Sequence, residues 1–337
     1  MNRKAAIISI RGSKLTASEI RLLKKEKPWG IILFKRNIIT FKQTKNLTQK
    51  IRSCMKDPFY PILIDEEGGK VSRLSELFST REFTQYFFGL LYEKNNKNGK
   101  LIYKYYLETI CNILNDLGIN INTIPVMDLL QNSTHQVIKS RAYSYKAKTI
   151  RSLGKFCISF LKKKKIASVS KHVPGHGCSN SDSHLNLPIV YKKKSKLYKE
   201  DFSLFKNLHS NFMMTAHILY KNVDSKNLAT FSSNIINQII RKKLNFKGIL
   251  ISDDISMKAL SKNLSTNANK RCDVCRSLVY GAEPRILQQA PGGRDNAKVV
   301  GKQFFENFSL PHDDGNYFRE SNKRAGVDCS ICLVYYR

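Results

Sequence analysis

Residues 166–188 read IASVSKHVPGHGCSNSDSHLNLP. The first five are apolar, small or β-branched, which is the composition of a short buried strand. The residues after them cannot build a core, because Gly175 and Gly177 flank His176 and small polar residues run on through Ser183. A strand that ends in a long loop carrying Lys171, His172, His176, Asp182 and His184 is a place for chemistry. Rigid scaffolds present their reactive groups on such loops. Asp182 stands two residues before His184. At that spacing in an extended segment, a carboxylate can orient an imidazole and tune its proton affinity, as a general acid/base requires.

The same unit recurs on either side. Apolar runs at 5–10, 30–34, 61–64, 119–124, 211–215 and 248–252 read as further strands. Helical signals separate them at 16–25, 40–55, 101–117, 146–163 and 232–244, the first opened by a Thr16/Glu19 capping box and the second by Thr40 with Gln43. Alternating strands and helices imply a parallel sheet, either doubly wound or closed. Polar residues decide between the two. Asp65, Asp128, His172, His217 and Asp253 each fall at or just past the carboxyl end of a different strand. A closed barrel gathers all those ends on one rim, whereas an open sheet gathers them only at a switch point. No G-x-G-x-x-G or P-loop pattern follows any strand, which argues against nucleotide binding. The expected fold is therefore α/β, a TIM-type (β/α)8 barrel in a single domain.

The eighth β/α unit of that barrel is doubtful. Beyond about residue 265 the sequence becomes rich in Gly, Pro and Gln around 284–294, and no helix-plus-strand pair is evident before Arg337. Residues 1–265 are thus expected to form the catalytic barrel and 266–337 an atypical tail, poorly ordered, frame-shifted or rebuilt. An unclosed barrel would expose strand edges to aggregation. The tail also holds Cys272-x-x-Cys275 and Cys329-x-x-Cys332. The gap between the pairs is far longer than in a zinc ribbon, so accident is the expected reading.

With 337 residues, 42% of them hydrophobic and 25% charged, the chain is globular. Its formal charge of +32 raises the question of a polyanionic partner. The lysines, however, are scattered and lack the interleaved aromatics of a stacking platform, so no nucleic-acid partner is expected. The 162–165 lysine run suits a helix C-terminus, and 192–194 reads as an exposed loop. No secretory or bilayer-spanning segment is evident, and the early cysteines are widely spaced. A cytoplasmic location is expected, with no membrane partner.

Four stretches in order, DEEGGKVSR (65–73), KHVPGHG followed by DSH (171–184), MTAH (214–217) and SDDISM (252–257), resemble the signatures of family 3 glycoside hydrolases. The branch they resemble is that of bacterial β-N-acetylhexosaminidases, over about residues 7–260. The resemblance implies a retaining exo-β-N-acetylglucosaminidase acting on cell-wall fragments (muropeptides), a monomer that needs no cofactor. It implies Asp253 as nucleophile and His184 with Asp182 as acid/base dyad, since retention needs a carboxylate nucleophile and a proton donor. It also implies Asp65, Arg73, Arg141, Lys171 and His172 as the sugar-binding set, with Gly68 and Gly69 turning the backbone beneath.

Plainer readings stand beside these. Ser252-Asp-Asp could cap a helix, Asp182 could cap a turn, and Arg73 or Arg141 could be a rim ion-pair partner. His217 is as readily a satisfied histidine as a contact. A zinc site of His172, His176, His184, His217 and Asp253 lacks the His-x-His that barrel metallohydrolases place on the first strand, so no metal is expected. The alternative function is an inactive or decayed homologue whose altered C-terminus prevents barrel closure.

Overall fold

The computed structural model of the chain describes residues 3–132, 134–179, 187–255, 257 and 331–335. Its strands are β1 (Lys4–Ser9), β2 (Pro28–Leu33), β3 (Ile62–Ile64), β4 (Ile121–Asn122), β5 (Ala167–Val173), β6 (Ile189–Val190), β7 (Phe212–Thr215), β8 (Leu219–Tyr220), β9 (Ile249–Ser252) and β10 (Ile331–Tyr335). Seven of them pair in parallel in the order β1-β2-β3-β4-β5-β7-β9, giving a curled, TIM-like α/β sheet. The pair β6-β8 forms a separate small parallel sheet, which the sequence pattern does not announce.

Between the strands run α1 (Ala17–Glu26), α2 (Phe41–Met55), α3 (Gln85–Lys94), α4 (Asn96–Asp116), α5 (Gln136–Lys139), α6 (Ala147–Lys163) and α7 (Lys194–Lys199), followed by a wide π-type helix at Asn234–Lys243. The caps explain where the first two begin. Thr16 and Glu19 form the expected reciprocal box, and the Thr40 side chain accepts from the amide of Gln43. The lysine run at 162–165 does close α6, where cations face the negative end of the helix dipole.

The curl has an inner and an outer core. Ile7, Ile32, Leu63, Ile121, Val169, Phe212 and Ile251, one from each parallel strand, pack together inside it. A larger cluster, including Leu23, Ile51, Phe88, Leu107 and Leu153, fills the space between the sheet and the helices. Each such side chain contributes about 1.5–3 kcal/mol of burial. β4 is shorter than the apolar run 119–124 suggests, although backbone hydrogen bonds to β3 and β5 continue through Thr123, Ile124 and Pro125.

Two expectations are corrected. The tail does contain a strand: β10 lies antiparallel to β1 (Ile7 opposite Cys332) and to β9 (Val334 opposite Ile251). Its sequence, ICLVY, is an unbroken apolar run of strand composition that the cysteine spacing disguises. It occupies the place between β1 and β9 where a regular barrel has its eighth parallel strand. Most of the expected tail, with Cys272, Cys275 and Cys329, lies outside the described residues. Lys192 is not part of an exposed loop either. Its Nζ sits 2.5 Å from Glu200 and 2.7 Å from the wholly buried Asp201, which needs a counter-charge.

Candidate active site

The carboxyl ends of β3, β4, β5, β7 and β9 converge, and each delivers a polar side chain. After β3, Asp65 accepts a hydrogen bond from Lys171 Nζ at 2.5 Å and from Arg73 Nη2 at 3.0 Å, with Thr123 Oγ1 as a further donor. Burial opposes its charge, but Lys171, Arg73 and Arg141 together hold its carboxyl well below the usual carboxylate range. The loop beyond turns at Gly68, whose φ of +84° suits glycine; a Cβ there would lie 2.2 Å from the Phe83 carbonyl oxygen. Glu66 pins the next segment by accepting from the amides of Arg73 at 2.7 Å and Leu74 at 3.0 Å. Arg73 is thereby aimed back at Asp65.

Glu67 is a residue to which the sequence pattern gives no role. Its carboxylate, almost wholly buried, takes a fork of two bonds from Arg141, Nε at 2.7 Å and Nη2 at 2.8 Å, and lies 2.5 Å from Lys171 Nζ. Burial works against ionisation, but Arg141 and Lys171 keep it charged with a lowered pKa. In return, Asp65 and Glu67 overcome the burial of Lys171 and raise its pKa. Arg73 and Arg141 are thus ion-paired, as the plainer reading holds.

From β5, Lys171 and His172 enter side by side. His172 Nδ1 is 2.7 Å from Oδ2 of Asp128, and its Nε2 is 3.3 Å from Arg141 Nη2. Asp128 also accepts from the amide of His176 at 2.7 Å. Burial and the neighbouring His172 push the His176 pKa down to about 4. Past His176 the loop base is tied down: Thr134 Oγ1 donates to the Gly177 carbonyl at 2.6 Å, and the His135 amide donates to the Ser179 carbonyl at 3.2 Å. Asp182 and His184 lie outside the described residues.

From β9, Asp253 stands half-buried at the rim. Its amide donates to the Thr215 carbonyl at 3.3 Å, and its Oδ1 accepts from the Asp254 amide at 2.8 Å. Burial disfavours its charge, yet His172, His217, the Asp254 amide and Lys171 lower its pKa. His217, after β7, is the satisfied kind: Nδ1 lies 2.7 Å from Thr230 Oγ1 and Nε2 lies 3.1 Å from the Asp254 carbonyl oxygen. Burial depresses its proton affinity, and its two ring contacts brace the Asp253–Asp254 turn. Among the described residues no cluster of His, Cys, Asp and Glu has the geometry of a metal site.

Acidic and basic side chains are thus gathered in one ion-paired cluster on the carboxyl rim of a TIM-like sheet. The family model of the glycosyl hydrolase family 3 N-terminal domain matches residues 3–283. The chain belongs to glycosyl hydrolase family 3 and is a glycoside hydrolase. Its relatives include the β-hexosaminidase of Methylobacillus flagellatus, 31% identical over 255 residues that cover 75% of this chain and 72% of that one. The β-hexosaminidase of Nitrosospira multiformis is 29% identical and matches 97% of each chain. A crystal structure of NagZ from Neisseria gonorrhoeae in complex with N-trifluoroacetyl-D-glucosamine superposes with a TM-score of 0.75 at 25% identity, covering 98% of this chain and 91% of that one.

Proposed function

We propose that the chain is a retaining exo-β-N-acetylglucosaminidase that removes terminal β-1,4-linked N-acetylglucosamine from muropeptides. One observation carries this reading. β5 and β9 both pair with β7, so Asp253 just past β9 stands on the same carboxyl rim as Lys171 and His172 near the end of β5, two strands away. Asp65, Arg73, Arg141, Lys171 and His172 hold the non-reducing sugar by its hydroxyls and N-acetyl group, the charged partners giving short, directional hydrogen bonds. Asp253 attacks the anomeric carbon and forms the glycosyl-enzyme bond as the leaving oxygen departs. His184, oriented by Asp182, gives that oxygen a proton and then takes one from the water that releases the sugar.

In this mechanism β10 completes the ring, with 1–265 as the catalytic barrel, so that the rim keeps its shape around the sugar. The protein works as a cytoplasmic monomer without cofactor. In support, the described cysteines Cys54, Cys111, Cys157 and Cys178 are free thiols, as in a reducing compartment. The reading is tested with a chromogenic β-N-acetylglucosaminide, following turnover together with the anomer first released. Hydrolysis with a β product that is abolished in Asp253→Asn supports it. A soluble, folded, inert protein would instead identify a decayed homologue, and near-normal rates in the variant would remove Asp253 from the nucleophile's role.

A further inference from the structure

We propose that Asp128 is a positioning residue: it fixes which ring nitrogen of His172 carries the proton, and it seats the first turn of the loop that bears the acid/base pair. This rests on the reading of His172 as a sugar contact. Asp128 is entirely buried and uses both carboxylate oxygens. Oδ2 is 2.7 Å from His172 Nδ1, while Oδ1 faces the amides of His172 at 3.3 Å and His176 at 2.7 Å. Backbone places it there. The Met127 amide donates to the Lys171 carbonyl at 2.6 Å and Val126 bridges to Lys171, so Asp128 lies directly beside His172.

The available donors and acceptors decide the tautomer. The carboxylate of Asp128 only accepts, so Nδ1 is the protonated nitrogen. The guanidinium of Arg141 only donates, so Nε2, 3.3 Å from Nη2, presents its lone pair. The two constraints agree on one neutral tautomer. One carboxylate thus sets the ring's donor pattern toward the pocket and, through the His176 amide, the start of the 174–179 segment.

An asparagine at 128 has the same shape but breaks the pattern. The two amides require its Oδ1, which leaves Nδ2–H pointing at His172 Nδ1. The ring must then move its proton to Nε2, where it meets Arg141 donor to donor. The alternative flip aims the side-chain amide at two N–H groups and is no better.

The test is nitrogen-15 NMR of histidine-labelled full-length protein near neutral pH, with the His172 signal assigned by its loss in His172→Gln. A protonated Nδ1 is expected in the wild type and a protonated Nε2 in Asp128→Asn. The KM for a chromogenic β-N-acetylglucosaminide should also rise tenfold or more in Asp128→Asn, with a smaller change in kcat and partial recovery in Asp128→Glu. A wild-type ring protonated at Nε2, an unchanged tautomer in Asp128→Asn, or an unchanged KM despite the switch overturns the proposal. The wild-type spectrum needs no variant to fold as the native chain does, and if no glycosidase turnover exists at all, the NMR comparison still decides the role of Asp128 by itself.

Discussion

Replacing Glu67 by glutamine removes one negative charge from a buried cluster in which two carboxylates, Asp65 and Glu67, face three cations, Arg73, Arg141 and Lys171. The shape of the side chain hardly changes. The glutamine can still accept one bond from the Arg141 fork, but its NH2 now faces Lys171 Nζ, which stands 2.5 Å from the native carboxylate. Both Glu67 and Lys171 have side chains almost wholly out of solvent, so water cannot compensate. Breaking a buried pair on one side costs about 3–5 kcal/mol. At ~2–4 °C per kcal/mol for a domain of this size, the melting temperature falls by roughly 6–20 °C. Raising salt from low to ~1 M should restore little, since buried pairs are poorly screened. The assay is thermal unfolding by circular dichroism at neutral pH, alongside steady-state kinetics. KM should rise at least tenfold as Lys171 and Arg141 lose their shared anchor, and Glu67→Asp, which keeps the charge, should recover part of both effects. A variant that melts within a degree of the wild type with the same KM refutes the idea that Glu67 organises Arg141 and Lys171.

Other consequences can be checked independently. His176 is buried with its pKa pushed from 6.5 to about 4, so the unfolded chain binds that proton first as pH falls. Its contribution to stability is complete above 6.5 and is lost between 6.5 and 4, by about 3 kcal/mol. Denaturant titrations at several pH values should show this slope flattened in His176→Gln, and an identical slope would remove His176 as its source. Leu333→Pro takes an N–H out of β10, a strand paired on both sides, and should expose the edges of β1 and β9. Size-exclusion chromatography then shows aggregation, whereas a monomer of normal melting temperature would mean that β10 does not matter to the fold. Asp182→Ala should slow cleavage of a disaccharide by about 10²–10⁴-fold, the usual worth of general acid–base help. A nitrophenyl glycoside, whose leaving group needs no proton, should suffer less in bond cleavage; equal losses on both substrates would argue against proton donation to the leaving oxygen.

Much of the site is legible because each rim residue comes after an apolar run too short to be anything but a buried strand. Asp65 after β3, His172 near the end of β5 and Asp253 after β9 all stand where that pattern puts them. The internal wiring is not legible. Glu67 and Asp128 act through partners 74 and 44 residues away, Arg141 and His172 respectively, and nothing in their local sequence announces it. The repeated Glu-Glu at 66 and 67 conceals two opposite duties, one pinning backbone amides and the other pairing cations. β10 is hidden for a different reason: it lies 79 residues beyond the end of β9 and runs antiparallel, so no repeat of the β/α rhythm points to it.

The proposed chemistry stands or falls on whether Asp253 becomes covalently bonded to the sugar. The decisive measurement is to incubate the protein with a fluorinated N-acetylglucosaminyl fluoride, which forms the glycosyl-enzyme faster than water releases it, and to map the adduct by peptide mass spectrometry. A single glycosylated peptide is expected, with Asp253 as the modified residue. An adduct on any other carboxylate, or turnover of substrate with no adduct trapped, would contradict the mechanism.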